Sequence, residues 1–122
     1  MQKIRVLIVD DNAAVRDGLY AILGAHADIE VVGNAVDGLD AIAKASNLHP
    51  DVILRDAQMP EMNGVEATRR IKERLPEIKV LFLTVHANYI EEALAAGADG
   101  YMMKDCGREE LLRAIRKLGQ IR

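Results

Sequence analysis

Aromatic residues are scarce in this 122-residue chain: one Phe, three Tyr and no Trp. That argues against the stacking platforms on which single-stranded nucleic acids are held. There is one cysteine, Cys106, so no internal disulfide can form, which fits a reducing cytoplasm. No signal-peptide pattern is visible at the start. No apolar run approaches the roughly 20 residues of a membrane-spanning helix. The formal net charge of −3 leaves no global basic field to draw the chain to nucleic acid or a membrane surface. Internal repeats and low-complexity stretches are also missing. What remains is a chain that is half apolar, of a length suited to one domain over residues 1–122 with a core covered on two faces.

Apolar runs alternate with amphipathic segments throughout. Ile4 to Val9 is β-branched and uninterrupted, as expected of a strand buried on both faces. Asn12 is placed to cap a helix carrying Val15, Leu19, Ile22 and Leu23 on one side. Ile29 to Val32 reads as a second strand ended by Gly33, and Asp37 to Ala45 as a second helix. Pro50 breaks the chain before a third strand, Val52 to Asp56. Met59 to Gly64 has turn chemistry. Val65 to Leu75 is the clearest amphipathic helix and stops at Pro76. Ile78 to Leu83 is a fourth strand, and Ile90 to Ala96 a helix ending at Gly97. Tyr101 to Met103 is a short fifth strand, and Arg108 to Leu118 a last helix. Strand–helix alternation repeated five times predicts a parallel sheet between two layers of helices. The flavodoxin-like (βα)5 order 2-1-3-4-5 sets the first and third strands side by side.

In such a sheet, ligands bind outside the carboxyl ends of the strands. Asp10 and Asp11 follow the first strand, Asp56 ends the third, Thr84 follows the fourth and Lys104 the fifth. Three carboxylates suit a hard cation. A hydroxyl and an ammonium beside them suit an anion next to that cation. The implied chemistry is a magnesium-dependent phosphoryl group on, or passing through, Asp56.

These residues resemble the receiver domain of bacterial two-component response regulators over essentially the whole chain. The markers are Asp10-Asp11, the string Asp56-Ala57-Gln58-Met59-Pro60 with Gly64 after it, Thr84, Gly97-Ala98, Gly100-Tyr101 and Lys104. In that order, at strand ends, they are highly specific. Asp28-Ile29-Glu30-Val31-Val32-Gly33, Glu66-Ala67-Thr68-Arg69-Arg70 and Lys104-Asp105 are similar to the NarL/FixJ (LuxR-type) subfamily. The resemblance implies that Asp56 is the phosphoacceptor, served by a sensor histidine kinase, a phosphotransfer protein or a small phosphodonor. It implies Mg²⁺ held by Asp11, Asp56 and the backbone carbonyl of Gln58, with Asp10 acting through a water. Thr84 and Lys104 would contact the phosphoryl oxygens, helped by the N–H groups of Ala57 and Val85. Tyr101 would be the switch aromatic that turns inward when Thr84 moves. The chain would then be a phosphoacceptor switch that assists its own phosphorylation and dephosphorylation rather than an enzyme. Its output would be transcription, through a DNA-binding domain not contained in these residues. A second copy of the chain would be a further partner. The expectation is a receiver cut out of a longer regulator, with no direct nucleic-acid binding of its own.

Rival readings bear on the same residues. Asp10-Asp11 alone is compatible with a solvated acidic turn, and Tyr101 with plain core filling. His86 reads as an exposed loop residue, His26 and His49 have no evident partner, and Cys106 reads as inert. The cations of the last helix read as a solvated or interface face. A phosphatase with an Asp nucleophile would want a second acid where Gln58 stands. A dinucleotide-binding module would want G-x-G-x-x-G where Asp10-Asp11-Asn12-Ala13 stands. A stand-alone or phosphorylation-independent receiver, acting as a protein-interaction module, is the alternative function. Three departures from the family stand out. Arg55 occupies a usually apolar or small position; if buried it needs a carboxylate partner, and the alternative is a positive charge near the site that alters phosphoryl lifetime. Val85 replaces a smaller residue. Lys104 follows Thr84 by only 20 positions, roughly two fewer than in relatives, or about half a helical turn. That shortfall predicts a shortened or displaced fourth helix.

Overall fold

The computed structural model describes residues 3–56, 64–84 and 90–120. Five strands and five helices alternate: β1 (Ile4–Val9), α1 (Ala13–Gly24), β2 (Ile29–Ala35), α2 (Gly38–Leu48), β3 (Val52–Asp56), α3 (Gly64–Arg74), β4 (Lys79–Thr84), α4 (Ile90–Ala95), β5 (Gly100–Met103) and α5 (Arg108–Gly119). All strand pairs are parallel, in the order β2-β1-β3-β4-β5. This is the flavodoxin-like arrangement the alternation implies.

Side chains leave a strand on alternate faces, and the apolar runs therefore feed two cores. Leu7, Val9, Ile53, Val80 and Phe82 pack with Ala41 and Ala45 of α2 and Ile71 of α3. Ile4, Val6, Ile8, Val52, Leu54, Leu81 and Leu83 pack with Leu23 of α1 and Leu111, Leu112 and Ile115 of α5. Helix starts follow from local chemistry. The Asn12 carboxamide oxygen accepts from the N–H groups of Ala14 (2.8 Å) and Val15 (3.1 Å). The Asp37 carboxylate accepts from Asp40 N–H at 2.8 Å, so Asp37 caps α2 rather than opening it. At the other end of α2, His49 takes the left-handed conformation, φ 48°, and its carbonyl accepts from the Arg5 guanidinium at 2.9 Å.

Several element boundaries differ from the sequence expectation, most of them by one residue. Gly33 does not end β2. The strand continues to Ala35, and the register slips by one residue, Val6 pairing with Val31 but Leu7 with Gly33. A Cβ on Gly33 would come within 3.0 Å of Leu48 Cδ1; the glycine serves the close approach of α2, not strand termination. The second helix runs three residues further, to Leu48. The fourth helix ends at Ala95, one residue before the expected Ala96, and is described over six residues, against 11 or 12 in the other four; residues 85–89, on which the expected shortening or displacement turns, lie outside the described residues.

The end of the sheet away from the acidic residues is closed by two contacts. Gly119 lets α5 touch β1: a Cβ there would lie 2.6 Å from Ile4 Cγ2 and 3.0 Å from Cγ1 and Cδ1. Arg116 forks onto Asp28, with Nε–Oδ2 at 2.7 Å and Nη2–Oδ1 at 3.2 Å, and Nη2 also lies 3.4 Å from His26 Nδ1. His26 therefore has a partner, and Arg116, of the α5 cations, does more than face solvent. The hydrogen bond from Arg116, with its charge adding, holds the Asp28 carboxyl below its ordinary value. Across the sheet, Lys72 donates to the carbonyls of Pro76 (3.0 Å) and Ile78 (2.8 Å) and to Asp99 (3.0 Å), joining α3 to the turn before β5.

Two outcomes are expected. Gly119→Ala must push a buried, β-branched side chain, costing about 1–3 kcal/mol, seen as a lower urea midpoint at unchanged m-value. A carboxyl whose folded pKa is depressed contributes stability above its unfolded value, 3.8 for Asp28, that is lost as pH falls through the folded value. Asp28→Asn should thus be less stable than the parent at neutral pH and converge with it below that range. High salt should shrink the gap, since both side chains of the pair are about a third exposed.

Candidate functional site

Parallel strands bring their carboxyl ends to one edge. Val9 pairs with Arg55, Asp56 with Leu83, and Thr84 with Met103. Asp10 follows Val9, and Lys104 follows Met103. The backbones of Asp10, Asp56, Thr84 and Lys104 therefore line one edge, as the sequence implied. The side chains of Asp56 and Thr84, and all of Ala57, Gln58, Val85 and His86, lie outside the described residues.

Asp10 is only 3% exposed. One carboxylate oxygen accepts from Asn12 N–H at 2.9 Å, and the other lies 3.3 Å from the Lys104 ammonium. Its carbonyl accepts from the Arg16 guanidinium at 2.7 Å, and its N–H donates to Ala35 at 3.1 Å. A solvated acidic turn would show none of this burial. Asp11 beside it is exposed.

Strands β1 and β5 are three strand spacings apart, about 14 Å. For Lys104 to reach Asp10, its chain must cross the ends of β4 and β3, where Thr84 and Asp56 stand. Among the described residues no three His, Cys, Asp or Glu side chains form a metal cluster. The buried Asp10 and exposed Asp11 supply hard oxygen donors at the edge where β3 delivers Asp56, and this set fits Mg²⁺.

Tyr101 is 45% exposed, so it is not core filling; its ring is turned out. Burial pushes the Cys106 thiol up, and Glu110 and Asp105 add to the effect, which keeps it protonated and unreactive. Arg55 is buried, 1% exposed, with its guanidinium carbon 5.9 Å from the Phe82 ring centroid. The sequence reading asked for a carboxylate there and did not foresee the ring. It also missed Arg16 as a support for Asp10; nothing local to α1 signals that contact.

The family model for the response regulator receiver domain matches residues 6–116. The chain belongs to the response regulator receiver family. This receiver is 47% identical over 116 residues to the response regulator protein VraR of Staphylococcus aureus, a match covering 93% of the chain and 56% of that relative. The chain thus spans little more than half the length of that relative. Among solved structures, it resembles the signal receiver domain of NarL from Mycobacterium tuberculosis (TM-score 0.94, 31% identity, all of both chains). It also resembles the response regulator domain of Thermotoga maritima CheB (TM-score 0.91, 36% identity, 99% of each). A LuxR-family DNA-binding response regulator from Staphylococcus aureus matches with a TM-score of 0.88 at 28% identity, over 96% of this receiver and 99% of that chain. The LuxR-type resemblance read from the sequence holds.

Removing the ammonium leaves a buried carboxylate facing its acidic neighbours. Lys104→Met is expected to lose about 1–3 kcal/mol of stability without divalent cation. Mg²⁺ should restore much of it, in urea titrations with and without the metal.

Proposed function

We propose that this receiver takes a phosphoryl group on Asp56 from the phosphohistidine of a sensor kinase or phosphotransfer protein, and releases it later to water. The observation that carries this reading is the Lys104–Asp10 ion pair, which stretches an ammonium over the strand ends that deliver Asp56 and Thr84. A carboxylate attacking a phosphoryl group meets like charge, and a preplaced cation lowers that barrier. An Asp56 oxygen attacks phosphorus in line. The phosphorus–nitrogen bond breaks, its electron pair returns to the imidazole, and Asp56 becomes an acyl phosphate.

Lys104 then has a second anion to serve, and leaves Asp10 for the phosphoryl oxygens. The Thr84 hydroxyl donates to another of them. As Thr84 moves toward the phosphate, Tyr101 turns from its exposed position into the space vacated, and the surface of β4, α4 and β5 changes. Asp11, Asp56 and the Gln58 carbonyl are the direct Mg²⁺ ligands in this reading, with Asp10 acting through a water. Bound there, Mg²⁺ supplies charge neutralisation for the crowded oxygens. The protein is in this sense a switch and not an enzyme. Its output is transcription, through a DNA-binding domain outside these residues, assisted by pairing of two receivers.

The test is intact mass after incubation with acetyl phosphate and Mg²⁺. One added phosphoryl group is expected, absent from Asp56→Asn and from the metal-free sample. Addition to Asp56→Asn would place the acceptor elsewhere. No addition from acetyl phosphate or from a phosphorylated histidine kinase would favour a receiver that signals by protein contact alone.

A further inference from the structure

Arg55 is the bulkiest fully buried side chain among the described residues, and the reading of Asp56 as acceptor leaves it no role. It pairs with Val9 on β1 and with Phe82 on β4, which pairs with Tyr101 on β5. Residues paired in this way face the same side of a sheet. Arg55, Phe82 and Tyr101 thus form one row on the face covered by α2 and α3, near the carboxyl edge. The guanidinium lies 5.9 Å from the Phe82 ring centroid, within the range of a cation–π contact. Arginine does not lose its proton in proteins, so this position carries a permanent charge. In a weakly screening interior such a charge acts over distances at which bulk water would cancel it. Its neighbour along the chain is Asp56, whose negative charge roughly doubles when the carboxylate becomes an acyl phosphate.

We propose that Arg55 is a positioning residue for the phosphoryl chemistry. Its buried charge, held against Phe82 behind the acceptor strand, favours the more negative phosphorylated edge and disfavours a divalent cation there. This rests on Asp56 being the acceptor. The argument needs only the charge, whatever acid the side chain also engages.

The experiment compares the parent chain with Arg55→Lys, which keeps the charge, and with Arg55→Met and Arg55→Gln, which remove it. Loss of one buried charge leaves any acid that it engages uncompensated, so the fold of each variant is checked first by circular dichroism; Arg55→Met keeps the apolar bulk beside Phe82, and Arg55→Gln is the second uncharged variant. Two affinities are measured by calorimetry: Mg²⁺ alone, and beryllofluoride, a phosphoryl mimic, in saturating Mg²⁺. Loss of charge should tighten Mg²⁺ and weaken beryllofluoride, each by roughly three- to tenfold, with Arg55→Lys close to the parent in both. Packing damage would weaken both ligands together. That result, or equal behaviour of the lysine and methionine variants, would overturn the proposal. If the parent binds no beryllofluoride, the acceptor reading fails. The Mg²⁺ series then still decides whether Arg55 sets the charge of this edge.

Discussion

Five strands running in one direction, covered on both faces, leave this chain little room for charge except at the strand ends. The interior rows of the sheet are filled by Val, Ile, Leu and Phe, with Arg55 the charged exception on β3, and the helices cover both sides. Polar side chains that must act together are therefore pushed to the ends of the strands. At the carboxyl end the backbone delivers Asp10, Asp11, Asp56, Thr84 and Lys104 to one edge. A parallel sheet does this with no loop of special length, because each strand contributes its last or next residue at the same height.

Collecting acids this way has an electrostatic consequence. Asp10 is buried, and a buried carboxylate needs a compensating charge and hydrogen bonds. The Asn12 amide and the Lys104 ammonium supply them. The same ammonium suits an incoming phosphoryl group, so in the proposed reaction the resting contact and the working contact compete for one side chain. A receiver assembled like this is poised by charge balance. The opposite end of the sheet is different: Gly119 against Ile4, and Arg116 forked onto Asp28, make contacts with no ligand to answer to.

Much of this was legible in the sequence because it is local. β-branched runs mark strands, Asn12 marks a cap, and acids at strand ends mark the edge. The strand order followed from right-handed crossovers and the switch-point rule. Other features were hidden because they join residues far apart in the chain. Gly33 looked like punctuation, yet it is tolerated in mid-strand because Leu48 packs over it. His26 looked unpartnered because Arg116 is 90 positions away. Arg55 stood out as a buried cation in need of an acid, but the Phe82 ring beside it could not be read from β3 alone. In each case the missing information was which side chain the fold folds back.

The position of β1 has a consequence for how the chain is made. One edge of β1 pairs with β2, which emerges from the ribosome soon afterwards; the other waits for β3. Between synthesis of Ala35 and of Arg55, that second edge carries unpaired amides and carbonyls along an almost wholly apolar strand. At about 5–20 residues per second, the exposure lasts roughly one to four seconds. An open apolar edge is what sticks to another chain. For that interval the strand that later carries the acidic pair has one edge open, while α1 can cover only a face of it.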